Sequence, residues 1–377
     1  MTVRKISLLF AVFALLVAAC GGGDDSSSSS TTTTAAPAAT TTTAMAETTT
    51  TAMAETTTTA MAEPTIGTAD NPIEVLYVPS VSADEITSGG ELLAKALNDA
   101  TGLTFDVKVG SSYAATIEEM CASPDKSIGF IPAQGYVLAS DLCNVNIRLK
   151  AQRFGFDVYW TEYIVPRDSG YTSIFDLAGK KWAYPDPAST SGYLIPSGQF
   201  AKSGIKVGDS FEAGGHTEAV RAVYNGEADF GTVYYSPPVT TEGEVAWDGT
   251  KENADINPDD VDSCAVNADG AIECNGVLPK DARANLASEA PDVIQKVAIL
   301  TLSDEIPNDG MAFGPDFPSD LEDQIVQAMQ DFATNDPEGF AAAFAAYSWN
   351  GVSTTSDSEF DSIRALLNAL GFSLEDF

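Results

Sequence analysis

The sequence predicts an α/β protein. Short strand-like runs alternate with helical ones, a glycine closes the first helical run, and 44% apolar content is ordinary for a globular chain. Ile73–Val78 reads as a strand closed by Pro79. A helix follows through Gly90–Leu97, apolar on one face, with Gly102 as its stop. Phe105–Val109 alternates as a second strand, Ala114–Met120 is helical, and Ser127–Ile131 is a third strand. Val158–Val165 is a long strand, followed after Ser173–Lys180 by a strand at Lys181–Tyr184 that ends in a turn at Pro185. This order implies parallel sheets with helices on both faces, and ligands settle at the carboxyl ends of such strands.

A leader precedes that domain. Arg4 and Lys5 stand before the apolar run Ile6–Ala19, which ends in Val17-Ala18-Ala19-Cys20. The pattern is a secretory signal of the lipoprotein kind over residues 1–20, in which Cys20 is lipidated and becomes the new N-terminus. The run is too short to span a bilayer comfortably, so lipid is the expected anchor and the location extracytoplasmic. Residues 21–70 are rich in Ser, Thr, Ala and Gly, and the octapeptide Thr40–Glu47 recurs from Thr48 and from Thr56. A unit this polar offers too little apolar surface to offset chain entropy, so a disordered linker is expected.

Charge excludes one class of partner. Acidic residues number 54 against 19 basic, a net charge of −35, and counterion release on nucleic acid needs clustered Lys and Arg. Four cysteines follow Cys20, and local spacing favours the disulfides Cys121–Cys143 and Cys264–Cys274 among the possible pairings. A metal site is not expected, because there is no CxxC and the single histidine stands elsewhere. No cofactor is expected either.

The most informative segment is Asp186-Pro187-Ala188-Ser189-Thr190-Ser191-Gly192-Tyr193, between a strand and a helix running to about Ser203. Three consecutive hydroxyl residues there place hydroxyls and free N–H groups at the positive end of a helix, which receives an anion without formal charge. A plain N-cap needs only one Ser or Thr, and spacing alone leaves both readings open.

Tyr184–Tyr193 resembles the signature loop of the phosphate/phosphite/phosphonate-binding proteins of ABC importers. Asp176-Leu177-Ala178-Gly179-Lys180 is similar to that family's D-L-x-G-K element, and Gly215–Val223 with Asn225–Asp229 to its G-x-H-x-x-A…N-G-E-A-D stretch. Ser303–Pro307 resembles the strand that returns to the first lobe. The resemblance implies a two-lobed clamp of the second periplasmic-binding-protein type, with crossings near Tyr159–Val165 and Val297–Ser303. Lobe one is then 71–160 plus 304–377, and lobe two 161–303, with an acidic insertion at about 239–279 holding Cys264 and Cys274. It also implies ligand contacts from Ser189, Thr190, Ser191 and His216, from Tyr113 and Tyr159, and from Ser80 after the first strand. Tyr235, at the end of the strand that follows Asp229, joins this set.

Family members that take aminoalkyl phosphonates hold the amine with carboxylates, whereas Gly231–Pro238 carries no acid. The expected ligand is therefore a phosphite, methylphosphonate or phosphate, delivered by a monomeric binding protein to an ABC permease. The alternatives are a sensing module for a membrane kinase and a secreted hydrolase. The second lacks a G-x-S-x-G elbow and ligands for a catalytic metal.

Overall fold

The computed structural model describes residues 65–376; the leader, Cys20 and the linker up to residue 64 lie outside the described residues. The folded chain begins earlier than the expected boundary at Asn71. Ile66 packs against the first core, and the Gly67 N–H donates to the Asn71 carbonyl at 2.8 Å. Among the described residues, no helix is long and apolar enough to cross a membrane.

Strand β1 (Ile73–Tyr77) is buried on both faces, its one carboxylate, Glu74, held by Lys108 and Lys126, and lies parallel to β2 (Phe105–Val109) and β3 (Ser127–Ile131). Strand β4 (Asn146–Gln152) joins the same sheet through Gly310–Phe313, which runs antiparallel to both β3 and β4. Gly351–Thr354 adds an antiparallel edge to β4. Helix α1 (Ala83–Thr101) turns Ile86, Leu93 and Leu97 inward and stops at Gly102, whose φ of 75° is left-handed. A Cβ on Gly89 would stand 2.3 Å from the Ala343 carbonyl, so glycine permits the close passage of the 337–343 helix. Helices α2 (Tyr113–Ala122) and α3 (Ala133–Cys143) cover the other face, tied by the Cys121–Cys143 disulfide.

The second sheet is built on β5 (Val158–Pro166), β6 (Trp182–Tyr184), β7 (Ser210–Glu212) and β8 (Phe230–Tyr235). β6 runs parallel to β7 and β8, while β5 runs antiparallel to β8 and to Val297–Leu302. Two passages therefore connect the sheets, one after Gln152 and one after Leu302. They run side by side: Ile306–Pro307 pairs with the start of β5, and the Ser303 N–H donates to the Thr161 carbonyl at 2.9 Å. The resulting architecture is two α/β lobes joined by two antiparallel crossings.

Residues 239–279 form a stapled element beside the second sheet. Val239–Thr240 pairs with Val277–Leu278 at its base, Ala265–Val266 pairs with Ile272–Glu273, and Cys264–Cys274 closes it. Trp247 packs edge-on against Trp160 of β5 at 4.9 Å between ring centroids, and Asp255 ion-pairs with Arg167 and buried Arg283. Lys251 reaches Asp304 on the second passage at 2.7 Å. Trp247 also lies 6.3 Å from the Phe156 ring, so this element touches both passages.

Candidate functional site

The carboxyl ends of β1, β3, β6 and β8 face one another, and the loops that follow them enclose a cavity of about 30 Å³. Hydrogen bonds draw the lobes together around it, among them one from the Gln134 side-chain amide to the Pro187 carbonyl at 3.3 Å. The Gln134 N–H donates to Thr190 Oγ1 at 2.7 Å, the Tyr113 N–H to Asp186 Oδ2 at 3.3 Å, and the His216 N–H to the Ser80 carbonyl at 3.0 Å. Burial pushes the Asp186 carboxyl up, against the opposing effect of N–H bonds from Ala188 and Tyr113.

The loop after β6 is held as a rigid cradle. Asp186 Oδ1 accepts from Ala188 N–H at 2.7 Å, and Ser189 Oγ accepts from Gly192 N–H at 3.1 Å. Residues 190–194 form a wide turn in which the Leu194 N–H reaches the Ser189 carbonyl, and helix α4 (Ile195–Ser203) continues from it. A Cβ on Gly192 would collide with the Pro185 ring at 2.2 Å, so this turn requires glycine. Two threonines pin the carbonyls behind: Thr161 Oγ1 donates to Ser191 O at 2.7 Å and Thr232 Oγ1 to Gly192 O at 2.5 Å.

His216 opens helix α5 (His216–Tyr224), and its ring is buried beside Ser189. The Tyr234 N–H donates to Nδ1 at 3.2 Å, so the ring proton sits on Nε2, which lies 3.4 Å from Ser189 Oγ. Burial, and secondarily the Arg153 charge, pull the imidazole pKa down to about 3. His216 is therefore a neutral N–H donor at physiological pH. A hydrolase needs the reverse arrangement, with Nε2 free to take the serine proton and an acceptor on Nδ1. The tautomer this bond assigns is wrong for a base and right for holding an anion.

The sequence-selected residues separate into two groups. Ser80, Tyr113, Tyr159, Ser189, Ser191 and His216 all line the cavity. Ser80 Oγ is buried and has no hydrogen-bond partner among the described residues. Thr190 and Tyr235 are not on the wall. Thr190 turns its hydroxyl to the Gln134 N–H, so it ties lobe to lobe. Tyr235 falls on the opposite face of β8, against Trp160 and Trp247, because adjacent strand residues alternate; its neighbour Tyr234 lines the cavity instead.

Other wall residues escaped the sequence reading. Trp349 and Phe130 meet edge-to-face at 5.5 Å, and the Trp349 Nε1–H, like Ser80 Oγ, is buried without a partner among the described residues. Arg153, in the first passage, stacks over Tyr159 at 5.0 Å and donates to the Tyr347 carbonyl and to Asn308. It also pairs with Asp309 at the end of the second passage. The signal for these two was positional: both flank the crossings, where the lobes meet. Among the described residues, no cluster of three His, Cys, Asp or Glu side chains is placed to hold a metal.

Residues 75–360 match the family described as "ABC transporter, phosphonate, periplasmic substrate-binding protein". A curated relative, the phosphate-import protein PhnD of Mycolicibacterium smegmatis, is 26% identical over 178 residues, 43% of this chain. The chain spans about half of that relative's length, 54%. Among solved structures, a binding protein component of an ABC phosphonate transporter from Pseudomonas aeruginosa superposes with a TM-score of 0.58 at 20% identity, covering 78% of this chain and 85% of that one. PhnD1 from Prochlorococcus marinus, in complex with methylphosphonate, gives 0.60 at 13% identity, covering 79% and 98%. These two likenesses carry the two-lobed binding-protein fold, and the family is one of transport binding proteins rather than enzymes. With most of its length inside that match, the chain belongs to the phosphonate ABC-transporter periplasmic substrate-binding protein family.

Proposed function

We propose that the mature chain is a lipid-anchored, extracytoplasmic binding protein that captures a small phosphonate-, phosphite- or phosphate-type oxyanion between its lobes and presents it, as a monomer, to an ABC permease. One observation carries this reading: neutral donors from both lobes converge on one cavity, and two of them, Ser80 Oγ and Trp349 Nε1, stand buried without partners among the described residues. A buried donor left unpaired is costly, so such a site fits a polar occupant. Ser189, Ser191 and His216 would grip the oxyanion from the second lobe, while Ser80, Tyr113 and Tyr159 close from the first lobe and the crossing. The lobes would be 71–160, with the preceding residues from Ile66 joined to it, plus 304–377, and 161–303, with 153–158 and 303–309 as hinges.

The size of the cavity, about 30 Å³, suits a tetrahedral anion with no long tail. Phe130, Val78 and Ala346 supply an apolar side that fits a hydrogen or methyl on phosphorus. The M. smegmatis relative imports phosphate by name, and the P. marinus structure holds methylphosphonate; both ligands lie in this class. Cys20, after its small-residue leader, would carry the lipid.

Ser189→Ala is expected to weaken methylphosphonate or phosphate binding by about 1.5–3 kcal/mol, since a charged acceptor loses one donor. Unchanged affinity by titration calorimetry removes Ser189 from the site. Cys20→Ser should move the protein from the detergent phase to the aqueous phase on fractionation; retention in detergent contradicts lipidation at that residue. His216 gives a pH signature. Its folded pKa of about 3 lies below the ordinary 6.5, so its contribution to stability is complete above 6.5 and is lost as pH falls toward 3. Between pH 7 and 5 the wild type should lose about 2 kcal/mol more stability than His216→Gln in urea unfolding. Parallel curves for the two proteins would show that the imidazole is not held neutral.

A further inference from the structure

Donors crowd the cavity, and against them stands one carboxylate. Asp309 borders the cavity with its side chain 16% exposed, and Arg153 occupies Oδ2. Oδ1 accepts no hydrogen bond from any described residue. Burial first, and then neighbouring negative charge that includes Asp309, push the hydroxyls of Tyr113, Tyr159 and Tyr347 upward, which places the carboxylate among the tyrosines that line the site. Arg153 is itself fixed, donating through Nε to the Tyr347 carbonyl at 2.9 Å and through Nη1 to Asn308 at 2.8 Å. These bonds hold the ion pair in the cavity wall and keep the Asp309 carboxylate beside the cavity.

An ionised carboxylate only accepts hydrogen bonds. An oxyanion pressed against Oδ1 is repelled unless it brings a proton of its own. We propose that Asp309 is a specificity-determining residue that reads a proton retained on the ligand, so that the cavity takes oxyanions with an O–H and rejects those without one. This inference rests on the oxyanion reading above and adds to it the protonation state of the ligand. Hydrogen phosphate, hydrogen phosphite and hydrogen methylphosphonate each carry the required donor; sulfate and methanesulfonate do not. The amine of an aminoalkyl phosphonate is the competing donor. Arg153 already neutralises the carboxylate and the cavity leaves little room for a chain, so that arrangement is disfavoured.

Titration calorimetry of the purified full-length chain tests this with matched pairs: phosphate against sulfate, and methylphosphonate against methanesulfonate at a pH where the phosphonate is singly protonated. The wild type should bind at least one phosphorus anion about tenfold or more tighter than its sulfur twin, since the twin leaves a charged acceptor unpaired. In Asp309→Asn, which keeps an acceptor for Arg153 and gains a donor, the gap should shrink to less than about threefold, mainly by tighter sulfur-anion binding. Sulfur anions binding the wild type as tightly as their twins would overturn the inference while leaving the oxyanion site standing. So would an unchanged gap in Asp309→Asn. Aminoethylphosphonate binding above methylphosphonate, with the preference lost in Asp309→Asn, would overturn it by assigning the carboxylate to an amine. If no phosphorus anion binds at all, the oxyanion reading falls and this inference with it. The wild-type comparison decides the matter even where the variant fails to fold.

Discussion

A chain carrying a net charge of −35 that is to hold an oxyanion, as proposed above, would have to do so with fixed dipoles shielded from water, and that constraint would organise the site. Neutral donors are weak in water but gain strength where the dielectric is low. The cavity meets this condition because both lobes contribute to its wall. His216 shows the principle at one residue. Burial keeps the imidazole uncharged, and the Tyr234 N–H on Nδ1 fixes which nitrogen carries the proton, so Nε2 can only donate. One backbone bond thereby separates a binding group from a catalytic base.

Fixed dipoles are useful only where they cannot reorient, and much of the second lobe serves that end. Thr161 and Thr232 clamp successive carbonyls of the 189–192 turn, the Trp182 indole N–H holds Thr232 in place at 2.8 Å, and Gly192 lets Pro185 lie against the turn. The hydroxyl of Thr190 faces the first lobe and accepts from the N-terminal turn of α3, beside Asp186, which does the same for α2. The loop that carries Ser189 and Ser191 into the cavity is thus also the loop that fastens the lobes. Under the proposed function, ligand grip and lobe closure would share one segment, which is the coupling a clamp needs. The 239–279 element adds a second link, since Trp247 meets Phe156 and Lys251 meets Asp304, one in each passage.

Much of this was legible in the sequence, for reasons that can be named. The strands Ile73–Tyr77, Phe105–Val109 and Ser127–Ile131 emerge within a residue of expectation because period and flanking turns agree, and Gly102 stops α1 where a left-handed residue is needed. Of the Ser-Thr-Ser run, Ser189 and Ser191 reach the wall of the cavity, as the single histidine does. The side of a strand was harder to read: at Tyr234-Tyr235 a one-residue choice decides which ring reaches the cavity, and only the register of β8 against β5 settles it. Arg153 and Asp309 come from loops 156 residues apart, as Trp349 comes from a loop near the C-terminus, and no local pattern announces groups that only tertiary packing joins. The fold start before Asn71 was missed because Ile66 is one apolar residue in a polar stretch, yet it finds the first core.

The most direct test of the central claim is a crystal structure grown with methylphosphonate. The account predicts the phosphonate oxygens in the interlobe cavity, within about 2.6–3.2 Å of Ser189 Oγ, Ser191 Oγ and His216 Nε2. A phosphonate bound elsewhere, or held in the cleft with those three groups out of reach, would contradict it.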